Sequence, residues 1–125
     1  MKYVRIINQT RPGQVPIKAK YCASFLCQLR GLMFTPSLPD HAGLLLVEGS
    51  DSRINASIHM MFMRIDLAVV WINRDFEVVD RVLARKWKLS YVPRLPARYV
   101  LETGVTRLND FMVGDKVSFE EIQDN

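Results

Sequence analysis

The stretch LAVVWINRDFEVVDRVL, residues 67–83, decides the fold class of this chain. It contains two runs of β-branched, aromatic and aliphatic residues, at positions 67–72 and 76–83, and a polar Asn-Arg-Asp triplet lies between them. Two such runs joined by a short polar turn are typical of a β-hairpin. We therefore predict two paired antiparallel strands in the middle of the chain.

Short strand-like segments continue on both sides of this hairpin. Alternating or continuous apolar residues predict further strands at residues 3–8, 15–21, 43–48, 54–64, 87–92, 97–103 and 116–121. One short helix is predicted after Ser24, where Phe25, Leu26 and Leu29 recur at helical spacing, and a second over residues 105–111. Because turn signals interrupt the chain so often, a mainly β sandwich or barrel with one or two short helices is favoured over alternating βαβ units.

The composition is that of a soluble globular protein. The 125 residues are 49% hydrophobic and 24% charged, with a net charge of +4, a balance typical of one ordinary domain. No apolar stretch reaches the ~18 residues of a membrane span, and residues 1–8 interleave charges with apolar side chains instead of forming a secretory signal. We therefore expect a single domain over residues 1–125, a cytoplasmic location without a membrane partner, and a monomer or weak dimer.

The sequence lacks the motifs of several enzyme classes. It has no glycine-rich phosphate loop followed by Lys and Ser or Thr, no GxGxxG and no GxSxG. Its two histidines, His41 and His59, are too few for a histidine-rich metal site. We expect no metal and no cofactor, and the catalytic residues, if there are any, are unknown from these patterns.

Cys22 and Cys27 are five positions apart. This spacing is neither the two-residue gap of redox and zinc pairs nor a spacing that makes the two side chains face each other on a helix. We predict two reduced thiols that pack as small apolar side chains, with a disulfide or a ligand role as the alternative.

Residues 59–63 form the unusual run His-Met-Met-Phe-Met. On a strand, His59, Met61 and Met63 would share one face. Imidazole and thioethers on one face could hold a soft ion such as Cu(I), but methionine also fills irregular gaps in protein cores. The favoured interpretation places Met61 and Met63 in the core, with His59 hydrogen-bonded beside them.

Positive charge is concentrated between positions 81 and 98, where there is no acidic residue. We call the following residues the basic face: Arg81, Arg85, Lys86, Lys88 and Arg94. Basic groups with Trp87 and Tyr91 among them could attract a nucleic acid or an acidic protein. The favoured interpretation is a solvated face that Trp87 anchors to the core. Acidic residues near the C-terminus oppose this charge, so nucleic acid is not the partner that we expect.

Several ordered motifs resemble those of a bacterial and archaeal family known as domain of unknown function 192. They include Arg-Gly-Leu-Met-Phe at residues 30–34, Gly-Leu-Leu-Leu at 43–46, Phe-Met-Arg at 62–64 and Gly-Asp at 114–115. The resemblance covers roughly residues 15–119. It implies a compact jelly-roll-like β-sandwich and no particular activity. Many members have Pro-x-Asp after the Phe-Met-Arg run, where this chain has Asp66 and Ala68.

We expect this β-sandwich to bind a small anionic or sugar-like ligand. Its polar residues supply the ligand-binding candidates Arg64, Asp66, Arg98, Glu102, His59 and Arg30. In the enzyme alternative, Asp66 and Glu102 act as a carboxylate pair beside His59 in an uncharacterised hydrolase. In the interaction alternative, the basic face binds a nucleic acid or an acidic protein partner.

Overall fold

A computed structural model describes residues 2–122. Seven strands make up most of the regular structure: β1 (Tyr3–Asn8), β2 (Ile17–Cys22), β3 (Ala42–Ser52), β4 (Leu67–Ile72), β5 (Val78–Ala84), β6 (Ala97–Thr103) and β7 (Val117–Ile122). The helix α1 (Phe25–Arg30) follows β2, and a 3₁₀ helix (Val105–Asp110) follows β6. The prediction of a mainly β chain with one or two short helices is confirmed.

All seven strands belong to one mixed sheet, in the order β5-β4-β6-β3-β2-β1-β7. The pair β2–β3 is parallel and the other neighbouring pairs are antiparallel. The predicted hairpin at residues 67–83 is present as β4 and β5. The edge strands β5 and β7 share no ladder, but just before them Glu77 and Lys116 form one antiparallel bridge. The sheet is therefore curled and not closed.

The central strands bury side chains on both faces of the sheet. Every residue of β4 is buried. Leu67, Val69 and Trp71 contribute to one apolar cluster, while Val70 and Ile72 contribute to the other. Residues of β1 and β7 cover the second face, and α1 together with residues 53–66 covers the first. The site described below lies on the first face, where irregular chain packs on the sheet.

Residues 54–64 and 87–92 form irregular loops instead of the predicted strands. The two loops meet at a single bridge between Ile58 and Tyr91. The first loop is also held by Trp71, whose Nε1–H donates to the Ala56 carbonyl at 2.8 Å. Because Phe62 has a φ of 60°, the chain turns there and strand alternation ends.

This turn corrects the interpretation of the methionine run. Met60 and Met63 are buried, whereas Met61 and Phe62 are exposed. The predicted shared face of His59, Met61 and Met63 does not exist, because a turn does not preserve the two-residue period of a strand. Trp87 was predicted to anchor the basic face to the core, and that is also wrong, since 57% of its surface is exposed.

The prediction of two reduced thiols is wrong as well: Cys22 and Cys27 form a disulfide. Ser24 begins α1 shortly after β2 ends, and its side chain accepts the Cys27 N–H. This early reversal brings the two Cα atoms to 5.7 Å, within the range that a disulfide requires. The disulfide ties α1 to the last residue of β2.

Among residues 2–122, no helix has both the length and the apolar character that crossing a membrane would require.

Candidate functional site

Glu102 is a carboxylic acid in the middle of the sheet. It lies in β6, in register with Leu44 of β3 on one side and Val69 of β4 on the other. Both neighbours are buried, and Glu102 itself is 5% exposed. No hydrogen bond among residues 2–122 involves its carboxyl group, whose oxygens remain accessible from a neighbouring cavity. Burial without a donor disfavours the carboxylate and raises the pKa of Glu102 to about 7.

The Glu102 carboxyl group faces a cavity of about 170 Å³. The cavity lies between α1, the sheet and the loop at residues 54–64. Its polar lining comes from Gln28, Arg30, Glu48, Asn55, Ser57, His59 and Glu102, and its apolar lining includes Phe25, Leu29, Met33 and Met63. A small polar ligand placed here would contact the buried acid directly.

The end of α1 forms the roof of this cavity. Gly31 terminates the helix with a φ of 51°, a left-handed conformation that glycine adopts at little cost. A Cβ atom on Gly31 would lie 3.5 Å from Oε1 of Glu102. This distance is an ordinary contact, so the positive φ and not a lack of space favours glycine at this position.

His59 joins the loop at residues 54–64 to α1. Its Nδ1 accepts the Met61 N–H at 3.3 Å, and its Nε2 lies 3.2 Å from the Leu29 carbonyl oxygen. A ring nitrogen that accepts an N–H carries no proton, so the neutral ring has its proton on Nε2 and donates it to Leu29. These two bonds fix the imidazole as part of the cavity wall.

Glu48 is a second acid that lines the cavity. It has the same strand parity as Leu44 and Leu46 of β3, so it lies on the same face of the sheet. Desolvation by burial raises the pKa of Glu48. Sequence reasoning missed Glu48, although its position at the end of the buried GLLLVE run was a usable signal.

The predicted site residues occupy two different places. Arg30, His59 and Glu102 line the same cavity. Arg98 does not line it, but its Nε–H donates to the Glu48 carbonyl at 3.1 Å and so supports the cavity wall. Arg64 and Asp66 lie outside it, in the loop before β4. Asp66 Oδ1 accepts the Lys86 N–H at 2.8 Å, so this carboxylate holds the loop that carries the basic face.

The residues of the basic face differ in their exposure. Arg85, Lys86, Lys88 and Arg94 are exposed. Arg81 is half-buried and donates from its guanidinium to the Leu108 carbonyl at 3.2 Å, which ties β5 to the 3₁₀ helix.

Within residues 2–122, no group of three or more His, Cys, Asp and Glu side chains is arranged to hold a metal ion.

Comparison with known proteins identifies the family. The family model DUF192, described as "Uncharacterized ACR, COG1430", matches residues 6–119. The chain belongs to the DUF192 family. Among curated members, it is 39% identical over 116 residues to a UPF0127 protein of Thermococcus kodakarensis, a match that covers 91% of this chain and 72% of that protein. It is 32% identical over 119 residues to a UPF0127 protein of Pyrococcus furiosus, covering 94% of this chain and 99% of that protein.

A solved structure supports the fold of this DUF192 member. A protein of unknown function from Novosphingobium aromaticivorans superposes with a TM-score of 0.79 at 22% sequence identity. The match covers 93% of this chain and 83% of that one. At this identity the likeness establishes the shared fold alone. These relatives assign no specific function, so the function has to be argued from the site.

Proposed function

We propose that this protein is a single-domain binding protein whose cavity at Glu102 takes a small sugar-like ligand. The observation that carries the proposal is the Glu102 carboxyl group, which belongs to a buried residue, makes no hydrogen bond among residues 2–122 and opens onto the cavity. A buried polar group is costly unless it is hydrogen-bonded. A ligand hydroxyl would supply the missing partner.

The charges of the cavity favour a neutral ligand over an anion. Glu48 and Glu102 both line it, and among residues 2–122 the exposed Arg30 is the one guanidinium that does so. Above a pH of about 7 the Glu102 carboxyl ionises and would repel an anion. Below that pH it is a neutral acid that both donates and accepts a hydrogen bond, which suits the hydroxyl group of a sugar.

The other lining groups suit a polyhydroxylated ligand too. The Asn55 amide supplies neutral donors and an acceptor, and Ser57 adds a hydroxyl oxygen. The Phe25 ring is 76% exposed and offers an apolar surface to one face of a sugar ring. Because the volume of about 170 Å³ is below the roughly 300 Å³ of drug-sized sites, the ligand would be no larger than about one sugar ring.

The test is an NMR titration of the ¹⁵N-labelled protein with single monosaccharides and, separately, with acetate, sulfate and inorganic phosphate. We expect one or more sugars to shift the amide signals of Gly31, His59 and Glu102. Glu102→Ala should abolish these shifts, whereas the matched control Glu121→Ala, which alters an exposed acid of β7, should retain them. Shifts with anions alone would contradict a sugar-like ligand. If no probe shifts these amides, the binding role of this cavity is refuted.

The hydrolase alternative is favoured by one specific observation: two acids whose pKa values are raised by burial, Glu48 and Glu102, line one cavity. A raised pKa is typical of a general acid. Glu48 takes the place of Asp66 in this version, because Asp66 lies outside the cavity. A nitrophenyl glycoside of a sugar that binds should then be cleaved, and Glu102→Gln should stop the cleavage. Binding without cleavage would leave the protein a binding protein.

The architecture and the location belong to the same proposal. We infer a barrel-like variant of a jelly-roll-like sandwich. Two backbone hydrogen bonds near the starts of the edge strands β5 and β7 support this inference. Val78 N–H donates to the Asp115 carbonyl, and Val117 N–H donates to the Phe76 carbonyl. We also propose a cytoplasmic monomer or weak dimer. Disulfides are rare in that compartment outside hyperthermophiles, so alkylation of cysteines in intact cells before lysis tests the location together with the Cys22–Cys27 bond.

A further inference from the structure

Three aromatic side chains meet on the surface of the loops that cover the sheet. We name Phe34, Phe62 and Trp87 the aromatic ridge. They are 58%, 41% and 57% exposed. The ring centroids of Phe34 and Phe62 are 5.7 Å apart, and those of Phe62 and Trp87 are 5.2 Å apart. Large apolar side chains that touch one another on the surface are typical of interaction sites.

The backbone is strained to hold the ridge outward. The φ angles are 65° at Phe34, 60° at Phe62 and 70° at Trp87. Within residues 2–122, these are three of the four non-glycine residues with positive φ. Bulky residues rarely adopt this conformation, and such strain persists where the surrounding structure imposes it, often at binding sites.

Hydrogen bonds between three loops keep the ridge in place. Phe34 N–H donates to the Phe62 carbonyl at 3.1 Å, and Trp87 N–H donates to the Met60 carbonyl at 2.7 Å. Met60 N–H in turn donates to the Lys88 carbonyl at 2.9 Å. A surface already fixed in this way loses little conformational entropy when a partner binds.

Exposed cations lie within two positions of the ridge residues: Arg64, Arg85, Lys86 and Lys88. None of these four cations is within salt-bridge distance of a carboxylate in residues 2–122. Lys88 Nζ is 4.5 Å from the centroid of the Tyr91 ring. The nearby carboxylate of Asp66 accepts a backbone N–H, from Lys86, instead of pairing with one of these cations. The surface is therefore complementary to negative charge.

We propose that the aromatic ridge and its four cations form a docking surface for an acidic peptide segment of another protein, with one apolar side chain of that segment packed on the ridge. Trp and Arg are enriched among the residues that dominate protein interfaces. The arrangement of the rings favours a peptide over a single-stranded nucleic acid. The rings meet at interplanar angles of 32° and 63°, so they form one joined apolar surface and not separate parallel faces for successive bases.

The test uses fluorescein-labelled decapeptides and fluorescence anisotropy. One peptide contains Asp and Glu around a central Leu; a second replaces the Leu by Ser, and a third replaces every acid by Lys. We expect the first peptide to bind at least about tenfold more tightly than either of the others. It should also shield Trp87 from acrylamide quenching, whereas Trp71 is buried from the start.

Matched variants locate the binding. Arg85→Glu combined with Lys88→Glu should weaken binding of the acidic peptide at least about tenfold. The control Arg74→Glu reverses an exposed charge in the β4–β5 turn and should leave binding unchanged. Trp87→Ser should remove the preference for Leu over Ser in the peptide.

Three outcomes would overturn the proposal: equal binding of all three peptides, equal losses in the Arg74 control, or tighter binding of oligo(dT) or phosphatidylserine vesicles than of the acidic peptide. The test does not depend on the cavity at Glu102, so its result is independent of the function proposed there.

Discussion

Glu102 and Asp115 are both buried carboxylic acids, but their pKa values are shifted in opposite directions. Asp115 is 4% exposed and Glu102 is 5% exposed. Burial works to raise the pKa of Asp115, but hydrogen bonds from Asn8, Met112 and Arg11, together with the positive charge of Arg11, outweigh it and hold that pKa below its ordinary value. Glu102 has no such donors, and burial raises its pKa to about 7. Donors, and not burial alone, decide the charge of a buried acid.

The partners of Asp115 explain its role. Its Oδ2 accepts from Asn8 Nδ2 at 2.8 Å, from Arg11 Nε at 2.8 Å and from Met112 N at 3.0 Å. The carboxylate thus joins the end of β1 to the turn before β7. An acid whose carboxylate accepts several hydrogen bonds from inside the fold, as Asp115 does through Oδ2, is structural. An acid such as Glu102, whose bonds are left for a ligand, is a candidate for function.

The largest effect should come from removing the structural acid. Asp115→Ala leaves the Met112 N–H without its acceptor and removes the partner of Arg11. It also removes one of the two acceptors of Asn8 Nδ2, which keeps its bond to the Asp110 carbonyl. We expect a loss of about 3–4 kcal/mol in the free energy of unfolding, measured by urea denaturation with tryptophan fluorescence. A loss below about 1 kcal/mol, the scale of an exposed pair, would show that the network is not structural.

The two pKa shifts predict opposite pH dependences of the free energy of unfolding. The lowered pKa of Asp115 means that its stabilisation is complete above the ordinary value of 3.8 and is lost as the pH falls through the lower folded value. The raised pKa of Glu102 means that the folded protein is favoured at low pH and loses stability as the pH rises from 4.5 to about 7.

Removing the ionisation of Glu102 should therefore stabilise the protein at high pH. Glu102→Gln keeps the shape and cannot ionise, so we expect a gain of up to about 3 kcal/mol above pH 7. At a pH below 4.5 the gain should vanish. Urea denaturation at several pH values measures the difference, and Glu121→Gln is the exposed control. A gain that is the same at every pH would contradict a raised pKa of Glu102, because only the ionised carboxylate destabilises the folded protein.

The smallest effect should follow reduction of the disulfide. Because Cys22 and Cys27 are only five residues apart, loop closure predicts a loss of roughly 2 kcal/mol. Reduction frees α1, whose end covers Glu102, so the pKa of Glu102 should fall towards its ordinary value while that of Asp115 stays unchanged. Carboxyl ¹³C NMR with and without dithiothreitol measures both values. Equal movement of the two acids would mean that the disulfide supports the whole sheet and not the cavity roof.

Local patterns predicted most of the regular structure. The β4–β5 hairpin and α1 with its Ser24 cap follow from neighbouring residues, so sequence reasoning located them. The loops at residues 54–64 and 87–92 were mistaken for strands because their apolar residues also fit a strand. What shapes them is the Ile58–Tyr91 bridge and the bond from Trp71 to Ala56, and both join residues distant in sequence.

The site was predictable only in part. Family motifs and polar residues on strands pointed to Arg30, His59 and Glu102, which line one cavity. Strand parity also placed Asp66 in the predicted site. Asp66 instead lies in a loop, and its carboxylate accepts the backbone N–H of Lys86. Glu48 was missed because an acid that ends an apolar strand is usually solvated.

The sequence by itself determined that the chain would form short strands with one capped helix, because side-chain periodicity and turn residues act over a few positions. The tertiary structure decided the chemistry. Strand order places β6 between β3 and β4, so Glu102 lies between Leu44 and Val69, and the disulfide-tied α1 covers it. The pKa of a carboxyl group depends on the dielectric and the donors around it in space, and those come from segments far apart in the chain.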